Sequence, residues 1–271
     1  MNGASRDALG AAREQLDALT DNTAVDPARL GGELAAVTAL LHREGTLRRA
    51  LSDPSKSGEA KAGLLRQLLG TQVGDDALDL LAGLVRARWS QPRDLVDAAE
   101  ELADTADLIA AQRRGVLDDV EDELFRFGRI LSGNSELRSA LANQVADGTA
   151  KAGLLHSLLG GRADPVTERL VTRLVTAPRG RSLESGIDAL SRLAAARRNR
   201  MVAEVTSATP LSDQQKRRLG AALARIYGRQ VHLNLDVDPE VLGGLRVRIG
   251  DEVINGSIAD RLDEAARRLA G

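Results

Sequence analysis

The sequence predicts a mainly α-helical protein, a duplicated antiparallel helical bundle followed by a small C-terminal α/β domain. Three observations predict it. One long stretch recurs without a gap after 90 positions, apolar residues through the first 200 positions keep helical spacing, and near residue 200 the period changes to two. A chain of 271 residues suggests about two domains.

Residues 5–19 read as a first helix, with Leu9, Ala12, Leu16 and Leu19 on one face. Asp26-Pro27 supplies an N-cap and a first-turn proline for a second helix, whose face carries Leu30, Leu34, Val37 and Leu41. From Thr46 the run TLRRALSDPSKSGEAKAGLLRQLLG matches ELRSALANQVADGTAKAGLLHSLLG from Glu136. Leu47, Leu51, Gly58, Lys61, Leu65 and Leu69 recur as Leu137, Leu141, Gly148, Lys151, Leu155 and Leu159. Upstream, Val120, Leu124, Phe127 and Leu131 repeat the face of the second helix, joined by Leu117. Gly45, Gly70, Gly160 and Gly180 fall where helices are expected to stop. Asp164-Pro165 opens the helix that carries Leu170, Leu174 and Val175, and a long helix is expected over 182–199. The stretch from Asp94 to Gln112 closes the first bundle, opens the second, or is one helix shared by both.

Beyond residue 200, MVAEVTSA (201–208) reads as a strand, and Ser212 with Gln215 forms a capping box that opens a helix to about Tyr227. Val231, Leu233, Leu235 and Val237 alternate with polar residues, as do Leu245, Val247 and Ile249 with Arg246 and Arg248. Gly250-Asp251 reads as a tight turn before a strand at Glu252-Val253-Ile254, ended by Asn255-Gly256, and a final helix is expected from Ser257 to about Leu269. The expected organisation is a first helical unit over 1–104, a second over 105–200, and the α/β domain over 201–271.

The composition excludes several classes of function. There is no cysteine, so disulfides, thiolate metal sites and cysteine nucleophiles are absent together. With 37 basic and 39 acidic residues the net charge is −2, which creates no field for nucleic acid or an anionic membrane. Aromatics make up 1%, too few for base stacking. No leader and no membrane-spanning apolar run is expected, so no direct membrane insertion.

No phosphate-binding loop, dinucleotide fingerprint, zinc helix or nucleophile elbow occurs. His42, His156 and His232 each stand alone. Asp236, Asp238 and Glu240 lack the ligand spacing of a calcium loop and read as a strand's solvent face. The acidic run Asp118, Asp119, Glu121, Asp122 and Glu123 suits the first turns of a helix, and Arg197 and Arg198 suit a last turn. No catalytic residue, cofactor or metal ligand is expected.

The run VHLNLDVDPEVLGGLRVRIGDEVINGSIADRL (231–262) resembles the signature of the delta/OSCP family of rotary ATP synthases. Val237, Asp238, Val241, Gly243, Gly244, Leu245, Val247, Arg248 and Gly250 fit its pattern, and Gly256 and Ser257 lie in a following Asn-Gly-Ser stretch where the family usually has Asp-Gly-Ser. VTSATPLSDQQKRRL resembles the family's entry to the same domain. The resemblance covers residues 105–271 well, while the additional helical unit over about 5–100 departs from ordinary members and is similar to long actinobacterial-type ones.

The resemblance implies a non-catalytic stator subunit working in proton-driven ATP synthesis at the cytoplasmic face of the bacterial plasma membrane, one copy per complex. Its helical domain would hold the N-terminal helices of the alpha subunits, and its C-terminal domain would grip subunit b of the peripheral stalk. The signature glycines then serve backbone geometry, with direct stalk contact as the alternative. Three other readings compete: a free-standing helical peptide-binding scaffold, an arginine-based nucleic-acid binder using residues near 197–200, 217–218 and 246–248, and an enzyme with an unfamiliar site.

Overall fold

The computed structural model describes residues 2–143, 145–198, 201–228, 231–238, 244–249 and 252–255. The chain divides into two compact units, Met1–Ala195 and Ala196–Gly271.

The first unit is helical throughout. Its helices are α1 (Gly3–Asp21), α2 (Pro27–Arg43), α3 (Gly45–Ser52), α4 (Gly58–Leu69), α5 (Asp75–Arg86), α6 (Pro92–Arg113), α7 (Leu117–Gly133), α8 (Ser135–Ala142), α9 (Gly148–Leu159), α10 (Pro165–Thr176) and α11 (Leu183–Arg198). The starts and ends of α2 to α5 reappear 90 positions later in α7 to α10, so the duplication holds at every boundary. Local chemistry explains the starts. Asp26 accepts from the backbone N–H groups of Ala28 and Arg29, and Asp164 accepts from that of Val166, each ahead of a first-turn proline.

Polar contacts repeat with the helices. The Glu33 carboxylate accepts the Gly74 N–H, and Glu123 accepts that of Asp164. Arg48 donates to the Leu41 carbonyl at the end of α2, and Arg138 donates to that of Leu131 at the end of α7. These clasps tie the first helix of each copy to its neighbours.

Two apolar cores form. Leu16, Leu34, Leu41, Leu51, Leu65 and Leu80 are fully buried in the first, and Val120, Leu124, Leu131, Leu155, Leu170 and Val171 in the second. Each such side chain contributes about 1.5–3 kcal/mol through removal from water. Helix α6 belongs to both. Leu95, Ala99, Leu102 and Ala106 enter the first core, while Leu108 and Ala111 enter the second. Of the three readings for this stretch, the shared helix is therefore the one observed.

Gly70 and Gly160 cap the ends of α4 and α9 as expected, whereas Gly45 and Gly180 depart from expectation. Gly45 is the first residue of α3, reached through Glu44, which ends α2 and opens α3 at once. Gly180 lies four residues beyond the end of α10, inside the connection to α11, where it takes a left-handed φ of 76°.

The C-terminal unit holds β1 (Met201–Ser207), α12 (Asp213–Tyr227), β2 (Val231–Val237), β3 (Leu245–Ile249) and β4 (Glu252–Asn255). The sheet order is β2-β1-β3-β4, with β1 and β2 parallel and the other pairs antiparallel. Parallel pairing demands a crossover, which α12 supplies from the Ser212–Gln215 capping box. Ala203, Val205, Val247, Ile249 and Leu223 of α12 form the core. The expected turn at Gly250-Asp251 and the helix over 257–269 lie outside the described residues, although Ile249 faces Glu252 across the hairpin.

Candidate docking groove and signature strands

On α7, the stripe Leu117, Val120, Leu124, Phe127 and Leu131 turns into the core. The adjacent stripe faces out. Phe125 is 60% exposed, an unusual position for an aromatic side chain in a chain with so few. Beside it, Gly128 lets α11 approach closely, since a Cβ there would meet the Ile187 side chain at 3.2 Å. Between the helices runs a groove of about 500 Å³, lined by Phe125, Gly128, Arg129 and Ser132 of α7 and Ile187, Asp188, Ser191 and Arg192 of α11. Its floor is apolar and its rims carry both signs of charge.

The first copy lacks this feature. The positions equivalent to Phe125 and Gly128 are Ala35 and Thr38. There α2 lies against α6 in the most extensive helix pair of the described residues. Gly31 of α2 brings the backbones together, a Cβ there meeting the Ala103 carbonyl at 3.1 Å. One copy is closed and the other is open.

Where the copies meet, the contact is ionic. Asp97, Glu100, Asp104 and Asp107 follow helical spacing along α6 and face arginines of α10 and the connection after it. Arg169 and Arg173 pair with Asp107, Arg173 with Asp104 at 3.1 Å, Arg179 with Asp97 and Glu100, and Arg181 with Glu100. Burial pushes the Asp104 carboxyl up to about 7, against the attraction of Arg173 and with help from the negative charges of Glu100 and Asp107. The seam is absent from the sequence-based expectations above, although four acids at spacings of 3, 4 and 3 inside an apolar helix are a visible signal of it.

The acidic run on α7 separates into roles. Glu123 is the clasp to α10, whereas Asp122 pairs with Arg126 on the surface. His156 meets Glu168 at 2.7 Å across α9 and α10, and His42 lies at the end of α2. Among the described residues no three His, Asp or Glu side chains gather as a metal site.

Of the signature residues, the Asp238 N–H donates to the Ser207 carbonyl and so closes the open end of the β1–β2 pair. Gly244 has φ of 98°, which only glycine adopts without strain, and it turns the chain into β3. Leu245 pairs with Ser207, Val247 is buried and pairs with Val205 and Ile254, and the exposed Arg248 pairs with Glu204 and Val253. Val237 departs from the expected alternation. It ends the edge strand β2 and is 45% exposed. Val241, Gly243, Gly250, Gly256 and Ser257, like Glu240, lie outside the described residues.

A family model described as ATP synthase delta (OSCP) subunit matches residues 105–269. The chain belongs to that family. It is 72% identical over 270 residues to a protein named ATP synthase subunit delta from Streptomyces coelicolor, covering 100% of this chain and 98% of that one. It is 70% identical over 271 residues to the protein of the same name from Streptomyces griseus, covering all of both. A chain of the Toxoplasma gondii mitochondrial ATP synthase hexamer aligns at 26% identity over 62% of this chain and 95% of that one, with a TM-score of 0.28, too low to carry a structural argument. As a family member the chain is a non-catalytic structural subunit, a peripheral part of the membrane-bound ATP synthase. No helix among the described residues is long and apolar enough to cross a membrane.

Proposed function

We propose that the chain joins the catalytic head of the synthase to its peripheral stalk and resists the torque of the rotor. In this reading the second helical unit, over 105–200, receives an amphipathic N-terminal helix of an alpha subunit. The α/β domain over 201–271 holds subunit b. The extra unit over 1–104 lengthens the stalk attachment, and one copy serves each complex at the cytoplasmic face of the plasma membrane. Two joined attachments raise the effective concentration of each, so modest contacts withstand load.

The observation that carries this reading is the difference between the copies. The α7–α11 groove presents an exposed Phe125 above an apolar floor, while the equivalent surface of the first copy is filled by α6. An apolar groove between helices with rims of both charges suits an amphipathic helix.

Calorimetric titration of the full chain with a peptide of the alpha-subunit N-terminus tests it. One-to-one binding is expected, weakened roughly tenfold or more by Phe125→Ala, as for a central aromatic anchor. A peptide that fails to bind, or binds the variant equally well, removes the groove from the head contact.

A further inference from the structure

Where the first copy meets the connection between α10 and α11 lies a further concavity, remote in character from the apolar groove. It occupies about 450 Å³ and is lined by His42, Arg48, Arg49, Gln91, Pro92, Arg93, Val96 and Arg179, with no carboxylate among them. Four guanidinium groups thus converge from α3, the start of α6 and the connection between α10 and α11. Arg48 donates to the Leu41 and His42 carbonyls and Arg49 to Thr46, and neither meets a carboxylate. Arg93 and Arg179 pair with Asp97, and Arg179 also with Glu100, but these acids do not line the cavity.

Two further facts point to an anion. The Arg179 side chain is 4% exposed, yet its Nε has no hydrogen-bond partner, and its backbone sits at φ of 51°, a conformation that non-glycine residues seldom hold. The 22-residue helix α6 begins at this cavity, and Gln91 offers its first turn no side-chain cap. Its first turn carries Asp94, which accepts from the Ser5 hydroxyl, so the pull on an anion comes from the arginines and not from the helix end. His42 is held below the ordinary imidazole range, by burial first and then by the charges of Arg179, Arg48 and Arg93, against the opposing charge of Glu100.

We infer that this cavity binds a compact anion bearing two or more phosphate groups, either inorganic or the tail of a nucleotide. Planar guanidiniums on several walls suit the oxygens of linked phosphates, which accept paired hydrogen bonds from each fork. No aromatic side chain lines the cavity, so recognition rests on the phosphates and not on a base. An extended acidic segment would need a linear track of cations, whereas these converge on one compact, open hollow.

The test is a titration of the full chain with inorganic triphosphate at physiological salt. It is followed by calorimetry and by the imidazole resonances of His42, with His156 on α9 as internal control. Saturable binding is expected, with the His42 pKa raised and His156 unmoved. Arg49→Gln and Arg93→Gln, both at exposed positions, should each weaken binding about tenfold while the helical circular dichroism is retained. A parallel titration with magnesium-free ATP assigns the source: equal affinity means that the tail alone is read. Absence of binding at millimolar triphosphate overturns the inference. So do binding indifferent to both substitutions, binding of ATP alone, and preference for a polyglutamate peptide that triphosphate does not displace.

Discussion

Glu123 accepts the backbone N–H of Asp164 at 3.0 Å, and so fastens the start of α10 to the middle of α7. Ninety positions earlier, Glu33 does the same for Gly74 at the threshold of α5. Duplication has thus preserved a polar clasp as well as an apolar face. The two carboxylates are half-buried, and removal of either leaves a helix-start N–H without its acceptor. Glu123→Ala should cost about 1–2 kcal/mol of stability in urea unfolding followed by circular dichroism. Glu33→Ala should cost a similar amount, reported by fluorescence of Trp89, whose indole is buried in the first core and donates to the Leu84 carbonyl. An unmoved midpoint in both variants would mean that water replaces the carboxylates without loss.

The seam between the copies makes stability depend on pH. In the folded chain Asp104 titrates at about 7, whereas in the unfolded chain it titrates near its ordinary 3.8. Between those values the folded state keeps a proton that the unfolded state has lost. Stability from this group is therefore fully present below the unfolded value and declines as pH rises through neutrality. The decline is at most about 4 kcal/mol for a shift of this size, which already includes the opposing attraction of Arg173. Asp104→Asn should gain on the wild type as pH rises, its urea midpoint exceeding the wild-type one by more at pH 8 than at pH 5. Equal losses at both pH values would show that the pairing with Arg173 outweighs the burial of the carboxylate.

The helical half of this architecture was legible because its rules are local. Asp26-Pro27 and Asp164-Pro165 announce helix starts, and leucines at spacings of three and four announce buried faces. The repeat converts each such signal into two. The sharing of α6 was left open, because periodicity shows that a helix has an apolar face but not which neighbours cover it. In α6, Leu102 and Leu108 serve different cores, and the acids between them meet arginines more than 60 positions away. The groove beside Phe125 was hidden for the same reason, since it depends on α11 leaving uncovered what α6 covers in the first copy. In the C-terminal unit, alternation gave the inward faces of β3, but β2 is an edge strand and its last residue, Val237, escapes cover.

Gly244 carries the clearest backbone requirement among the signature residues. At φ of 98° an alanine Cβ would crowd the neighbouring carbonyls. Gly244→Ala should therefore destabilise the entry to β3 by about 1–2 kcal/mol. The expected readout is faster amide exchange through Leu245–Ile249, with the helical unit unaffected. Protection of that strand equal to wild type would assign the glycine to something other than the turn.

Leu124 tests whether the two copies unfold together. It is fully buried in the second core, and Trp89 reports from the first. Helix α6 feeds both, and the ionic seam along it adds arginines of the second copy to acids anchored in the first. Loss of either core therefore strips α6 of part of its cover, and neither bundle keeps a complete wall without it. Leu124→Ala should cost about 2–5 kcal/mol, the usual range for a leucine cavity. The midpoint reported by Trp89 should fall together with that of circular dichroism. Coincident shifts would establish one cooperative block, through which a load on either copy is borne by both. A Trp89 midpoint that stays at its wild-type value while the circular dichroism splits into two steps would show that the copies melt separately and that the seam is only a contact.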